Sequence, residues 1–195
     1  MVCVVDDEAT GWVGVLRQRG VGLAPGLSDE ELDQVERTFD FVFSPDHRRF
    51  LAAGLPLGDR WVDWRTTPAE ELRGRLSWPI DGILFDVQNN DFWPASWGPR
   101  PAQPTAAEAV ARQQLAFVPR LIPIYSHRYL PAAPAMAGCP VYSVVQADVI
   151  YYGTNLLDYL RREFAQPRRG EISVEPGHRI AFWSNLAEGA DSTDL

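Results

Sequence analysis

Three short apolar segments and the amphipathic segment after them constrain the fold more than any other part of the chain. The apolar segments are Leu121–Tyr125, Val141–Val145 and residues 149–152, separated by Pro, Gly and polar residues. Their length and their β-branched and aromatic side chains are typical of strands. Residues 156–164 then carry apolar side chains at helical spacing behind Asn155, the predicted N-cap. The pattern predicts the middle of a β-sheet with one helix packed on it.

Four helices are predicted upstream of this stretch, each from its own start signal. The start signals are the capping box Ser28–Glu31, the pair Ser44–Pro45, the pair Thr67–Pro68 and the capping box Thr105–Glu108. The last three of these helices are predicted to end at Gly54, before Trp78-Pro79 and at Pro119, because a left-handed glycine or a following proline stops a helix. A shorter helix is predicted around Trp12.

The remaining segments are predicted as strands and connections. Residues 82–87 (GILFDV) indicate a further strand, followed by a turn at Asn89, Asn90 and Asp91. Residues 92–101 form an aromatic, proline-rich connection that fits neither a helix nor a central strand. Residues 2–5, 172–174 and 180–183 are interpreted as short strands, with a strap along the surface as the alternative for the last two.

Charge restricts the classes of partner. The chain has 26 acidic and 18 basic residues, every base is Arg, and the formal net charge is −8. Phosphate backbones attract clustered bases, so we expect no nucleic-acid partner. A chain of this charge attracts basic proteins instead.

Length and cysteine content predict one cytoplasmic domain. The 195 residues suit a single domain over residues 1–195. Cys3 and Cys139 are too few for a disulfide framework, which favours a reducing compartment. The N-terminus lacks the pattern of a signal peptide, and no apolar segment approaches the ~20 residues that span a bilayer. We therefore expect no membrane association.

The sequence contains no common catalytic, nucleotide-binding or zinc motif. We therefore predict neither catalytic residues nor a cofactor. One enzymatic hypothesis stays open, in which His127 acts as a general base oriented by Asp86 or Asp148 in a hydrolase. The alternative is a hydrogen-bonded structural histidine at the end of a strand.

Two further groups of residues also allow two interpretations each. Asp81, Asp86, Asn89, Asn90 and Asp91 supply oxygens of the kind that bind Ca²⁺ or Mg²⁺, but turn chemistry explains the last three equally well. The second group is Trp93, Trp97 and Arg100, whose residue types dominate protein interfaces. The same tryptophans could instead cover the edge of a sheet.

A series of segments in a fixed order resembles a known family. The segments are residues 39–51 (FDFVFSPDHRRFL), 61–65 (WVDWR), 82–87 (GILFDV), 92–93 (FW), 97–98 (WG), 120–125 (RLIPIY), 140–144 (PVYSV) and 148–153 (DVIYYG). Together they resemble the SUKH superfamily, and within it the Smi/Knr-like branch. Ser44 stands where that family commonly has Pro. The resemblance covers residues 27–164 and leaves 1–26 and 165–195 as an N-terminal extension and a C-terminal tail.

The resemblance implies an α+β domain with a central, mostly antiparallel sheet and helices packed against it. It implies no shared enzymatic activity or cofactor. It implies instead a non-enzymatic protein-binding domain, either an immunity-type protein that neutralises a toxin by direct binding or a regulatory scaffold. The expected partner is a protein, and the oligomeric state is left open. The candidate partner-binding residues are Asp81, Asp86, Asp91, Trp93, Trp97, Arg100, Tyr125, His127 and Tyr129.

Overall fold

A four-stranded antiparallel sheet with helices on both faces dominates the computed structural model, which describes residues 7–165 and 176–189. This is the predicted α+β class. The helices are α1 (Asp7–Gln18), α2 (Asp29–Phe39), α3 (Pro45–Ala53), α4 (Ala69–Asn89), α5 (Pro104–Leu115), α6 (Leu156–Phe164) and α7 (Trp183–Ala187). The strands are β1 (Leu23–Ala24), β2 (Leu55–Pro56), β3 (Leu121–Tyr125), β4 (Arg128–Pro131), β5 (Val141–Val145) and β6 (Asp148–Gly153). Strands β1 and β2 form a separate pair.

The main sheet has the order β3-β4-β5-β6, with neighbours antiparallel throughout. Both hairpin turns, Ser126–His127 and Gln146–Ala147, therefore lie at the same end of the sheet. Ser126 and Gln146 have φ values of 51° and 59°, which is the left-handed conformation that such tight turns require. The three predicted strands are confirmed, but β4 was missed because a four-residue segment that begins with Arg and ends with Pro carries little strand signal.

Alternation along the strands divides the core into two layers. Ile122, Ile124 and Leu130 pack with α1, α2, α3 and α6 on one face of the sheet. Leu121 precedes Ile122 in β3, and Tyr129 precedes Leu130 in β4. Both pack with α4, α5 and α7 on the other face of the sheet. A side-chain period of two produces this division, because neighbouring strand residues point to opposite faces.

Helix α4 corrects two predictions made for residues 67–87. The helix does not end at Trp78, and residues 82–87 are not a strand, because α4 runs unbroken to Asn89 with Pro79 inside it. Proline removes the hydrogen bond to the carbonyl four residues earlier, which belongs to Arg75. The Tyr129 hydroxyl donates to that Arg75 oxygen at 3.3 Å and replaces the lost bond. A side chain distant in sequence thus makes a helix interior tolerate proline.

The helix starts agree with prediction at three positions and differ at two. At α2, Ser28 and Glu31 form the predicted reciprocal capping box. Helix α3 starts at Pro45, and Asn155 accepts from the Asp158 amide at the start of α6. The predicted capping box Thr105–Glu108 is wrong, because α5 begins at Pro104 and its N-cap is Gln103, two residues before Thr105. The predicted start Thr67–Pro68 lies one residue too early, because Pro68 is itself the N-cap and α4 begins at Ala69.

Residues before and after the segment 27–164 also contribute to the core. Helix α1 packs against α3 and α6 with Trp12 and Leu16 buried. Near the C-terminus the strand predicted at 180–183 is wrong, because α7 starts at Trp183 and its Ser184 hydroxyl accepts from the Ile180 amide. The strands predicted at residues 2–5 and 172–174 lie outside the described residues.

The start of α3 buries an unusual polar group. His47 is 1% exposed, and neither ring nitrogen has a hydrogen-bond partner among the described residues. Its ring lies 4.9 Å from the Phe43 ring in an edge-on contact. Burial lowers the His47 pKa to about 3, because the charged imidazolium would lose its hydration. The histidine is therefore neutral at physiological pH. The neighbouring Asp46 accepts from the Gly138 amide at 2.6 Å and ties α3 to the loop before β5.

Candidate protein-binding surface

The outer face of α2 gathers carboxylates around a single guanidinium. Asp29, Asp33 and Glu36 lie within 3.1, 2.7 and 3.0 Å of Arg48 on α3. Their spacing of four and three residues places them on one side of the helix. Three carboxylates face the Arg48 guanidinium, and Arg37 beside them adds a second positive charge, so the local excess of negative charge is one. The Glu36 carboxylate also accepts from the Phe43 amide at 2.9 Å, so Glu36 fixes the turn after α2 as well.

A groove of about 370 Å³ runs beside these carboxylates. It is lined by Asp33, Glu36, Arg37, Asp40, Phe41 and Val42. We call this the acidic groove. Asp40 ends α2 in the left-handed conformation, at φ 54°, and the exposed Val42 lies on the rim with 55% of its surface accessible. An exposed apolar side chain within a ring of charges is a common arrangement at protein interfaces.

Arg120 links the acidic groove to a second concavity. Its Nη1 atom donates to the carbonyl oxygens of Phe39 and Asp40 at 3.0 and 2.8 Å, and its guanidinium lies 5.8 Å from the Phe41 ring centre. These bonds satisfy the last carbonyls of α2, which have no partner within the helix. Arg120 lines the second concavity and contacts Asp40 and Phe41, which line the acidic groove.

The second concavity, the α4–α5 groove, has a volume of about 410 Å³. Its floor is apolar and formed mainly by Leu76, Ile80, Leu115 and Trp183. The Trp183 indole nitrogen donates to the Pro119 carbonyl at 2.6 Å, so the buried ring is held in place. The charged residues along the groove are Asp81, Arg112 and Arg120.

The predicted site residues of α4 take different places. Asp81 is exposed and lines the α4–α5 groove. Asp86 is buried, and its two carboxylate oxygens accept from the Ala147 amide at 2.7 Å and from the Asn90 side chain at 2.5 Å. Asp86 therefore holds the β5–β6 turn against α4.

The predicted site residues after α4 form a locally satisfied loop. The Arg100 guanidinium pairs with Asp91 at 2.9 Å and donates to the Val87 carbonyl at 2.6 Å. The Trp93 indole donates to the Gly98 carbonyl at 2.8 Å, and the Trp93 and Trp97 rings pack edge to face at 5.3 Å. Both tryptophans are half-buried against the second core layer. These contacts favour the packing interpretation of the aromatic loop.

The site residues predicted in the first hairpin lie on and around the sheet. Tyr125 packs on Trp61 and Phe164 in the first core layer. Tyr129 is buried in the second layer, and its burial raises the pKa of its hydroxyl above the usual value. The structure thus separates Tyr125 and Tyr129 by the thickness of the sheet instead of joining them in one site.

His127 is half-buried in the hairpin turn, and its Nδ1 atom lies 3.2 Å from the Ser126 hydroxyl. Burial, followed by the charge of Arg128, lowers the His127 pKa. Neither Asp86 nor Asp148 forms a hydrogen bond with His127 among the described residues, and the Asp86 oxygens are occupied elsewhere. Among the residues that the structure describes, no catalytic pair is therefore assembled around His127.

The described part of the chain contains neither a cluster of metal-ligating side chains nor a helix that could span a membrane. Within residues 7–165 and 176–189, no group of three or more His, Cys, Asp or Glu side chains could hold a metal ion. In the same residues, every helix lacks the length or the apolar character needed to cross a bilayer.

Sequence reasoning missed the acidic groove. None of the acids of α2 is among the residues predicted to bind a partner. The available signal was their spacing, because Asp29, Asp33, Glu36 and Asp40 recur every three or four residues and share one face. No protein-family model, curated protein or solved structure matches this chain. The structure alone therefore defines an α+β protein with an acidic groove beside an apolar one.

Proposed function

We propose that this chain is a non-enzymatic protein-binding domain that neutralises a basic partner protein by direct contact, in the manner of a cytoplasmic immunity protein. The observation that carries the proposal is the acidic groove, where the carboxylates of α2 exceed the neighbouring guanidinium groups and the exposed Val42 offers an apolar anchor. Excess charge of one sign on a concave surface attracts a partner of the opposite sign and speeds its association. The net charge of −8 acts in the same direction.

The resemblance to the SUKH superfamily supports the same proposal, since immunity-type members bind toxins. A regulatory scaffold would use the aromatic loop of Trp93, Trp97 and Arg100 as its binding surface. Their side chains are already engaged with Gly98, Asp91 and one another, which leaves that loop less free to bind. The hydrolase alternative receives no support from the surroundings of His127.

Affinity capture tests the proposal. The immobilised protein is exposed to lysate from the organism that makes it, and retained proteins are identified by mass spectrometry. The variant Asp33→Asn/Asp40→Asn removes two charges from the acidic groove. Asparagine tolerates the left-handed conformation at position 40, and Arg48 keeps Asp29 and Glu36 as partners, so the fold is retained.

A matched control removes two charges elsewhere. Asp59→Asn/Glu70→Gln changes two exposed acids that lie outside both grooves. We expect a basic protein to be retained by the wild type and by the control, and to be lost or weakened with the groove variant. Equal retention by the wild type and both variants would contradict the proposed site.

A further inference from the structure

Two exposed aromatic residues and an acid share the outward side of α4. Trp78 and Phe85 are 56% and 48% exposed, and Asp81 between them is exposed as well. Steps of three and four residues place the three positions within an arc of about 60° around the helix axis, away from the buried Leu76 and Ile83. We call this arc the outer α4 face. Tryptophan is on average a highly buried residue, so its exposure here is typical of an interaction surface.

Elsewhere in this chain, an arginine joins a tryptophan to a nearby acid. Glu8 and Trp12 are one turn apart on α1, and Arg49 of α3 reaches both of them. Its Nη2 atom lies 3.3 Å from the Glu8 carboxylate, and its guanidinium carbon lies 5.3 Å from the Trp12 ring centre. An acid and a tryptophan one helical turn apart thus form a site that one guanidinium occupies.

The aromatic loop after α4 repeats this arrangement. Arg100 pairs with the Asp91 carboxylate at 2.9 Å, and its guanidinium carbon lies 5.9 Å from the Trp93 ring centre. The chemistry is general, because a guanidinium is a planar cation that donates to a carboxylate and is attracted to the face of an indole. The outer α4 face carries the same pair of groups, with Trp78 and Asp81 three residues apart on one helix.

The chain does not supply the arginine at this third pair. Among residues 7–165 and 176–189, Asp81 has no hydrogen bond or ion pair, and no guanidinium lies over the Trp78 ring. Arg75 on the same helix and Arg112, which lines the groove beside Asp81, each pair with a glutamate of their own helix at 3.0 and 2.7 Å. Arg120 in that groove binds the carbonyls at the end of α2. The charge of Asp81 is therefore available to a partner.

We propose that the outer α4 face docks an arginine side chain of a partner protein, whose guanidinium pairs with Asp81 and stacks on Trp78. Phe85, one turn beyond Asp81, offers apolar contact to the residues next to that arginine. Arginine suits the site better than lysine, because an ammonium group is a compact point charge that cannot stack. The net charge of −8 favours the approach of a cation. The inference goes beyond the proposed function, since it concerns α4 and not the acidic groove.

Nuclear magnetic resonance of the full chain tests the proposal with a small probe. The probe is the tripeptide Gly-Arg-Gly, blocked at both ends, and the neutral citrulline peptide and the lysine peptide are its controls. The indole N–H signal of Trp78 is identified by its loss in Trp78→Phe. We expect this signal to shift saturably with a Kd of about 1–10 mM for the arginine peptide, about threefold weaker or more for lysine, and not at all for citrulline. An unmoved Trp78 signal, or an equal response to citrulline, would overturn the proposal.

Substitutions of exposed acids locate the probe. Asp81→Asn should weaken binding about threefold or more, whereas Glu70→Gln removes an exposed acid about 16 Å away along the same helix and should leave it unchanged. The remaining indole signals verify that each variant is folded. Equal binding by the wild type and Asp81→Asn would refute the proposed contact. Asp33→Asn/Asp40→Asn should leave the Trp78 response unchanged, so this proposal and the proposed function fail independently.

Discussion

Buried His47 makes the stability of this protein depend on pH in a predictable direction. Its pKa is about 3 in the folded chain, against about 6.5 in an unfolded chain. At a pH between these two pKa values, His47 binds a proton in the unfolded chain but not in the folded chain. The contribution of His47 to stability is therefore fully present above about pH 6.5 and is lost as pH falls towards 3.

The magnitude follows from the two pKa values. Lowering the pH from about 7.5 to about 5 should reduce the free energy of unfolding by about 2 kcal/mol through His47 alone. Carboxylates titrate in the same range, so the wild type must be compared with a variant that lacks the imidazole. His47→Leu has a similar volume and removes two ring nitrogens that have no described hydrogen-bond partner.

Urea unfolding followed by tryptophan fluorescence measures both proteins at both pH values. We expect the wild type to lose about 2 kcal/mol more than His47→Leu between about pH 7.5 and 5. At the higher pH the two proteins should differ by less than about 1.5 kcal/mol, as is usual for volume-conserving core exchanges. An identical loss in both proteins would show that His47 is hydrated or partnered in solution, and the reasoning from burial would fail.

Three further substitutions test contacts that hold α4 in place. Gly82→Ala should destabilise the protein by about 1–3 kcal/mol in urea unfolding, because the new Cβ would lie 2.8 Å from the Gln146 Cα atom. Gly74→Ala on the same helix is the control: its Cβ meets nothing within 4 Å, and the variant should be more stable by up to about 1 kcal/mol. A stabilised Gly82→Ala would contradict this packing. Tyr129→Phe leaves the Arg75 carbonyl without its donor and should cost about 1 kcal/mol, visible as a lower melting temperature, and an unchanged temperature would show that Pro79 needs no such compensation. Asp86→Ala frees the Ala147 amide and should cost about 1–3 kcal/mol with faster hydrogen exchange in the β5–β6 turn; unchanged exchange would refute the role given to Asp86.

The sequence was sufficient where local chemistry decides the structure. The Ser28–Glu31 capping box, the proline start of α3 and the Asn155 cap depend on contacts within a few residues, and all three are confirmed. The β-branched runs of β3 and β5 are likewise confirmed, residue for residue.

The sequence was insufficient where a distant residue decides the structure. Pro79 was interpreted as a helix end, but the Tyr129 hydroxyl, fifty residues further along the chain, supplies the missing hydrogen bond. Residues 82–87 then looked like a strand, although the buried positions Leu72, Leu76, Ile83 and Val87 follow a helical period. Periodicity over the longer window was the better guide than the proline.

The candidate surface was predictable only in part. Asp81 was identified and does lie on a groove, but Asp86 and Tyr129 proved to be buried structural residues. The acidic groove depends on Arg48 and Arg120 reaching α2 from other elements, and no local pattern reveals such contacts.

The most direct test of the account is the rate at which the captured partner associates with this protein at different salt concentrations. Stopped-flow mixing should show association that slows steeply as salt rises. Asp33→Asn/Asp40→Asn should be about three- to tenfold slower at low salt and less dependent on salt, while Asp59→Asn/Glu70→Gln should behave nearly as the wild type. An association rate that stays the same at every salt concentration and in Asp33→Asn/Asp40→Asn would contradict the claim that the acidic groove recognises a basic protein.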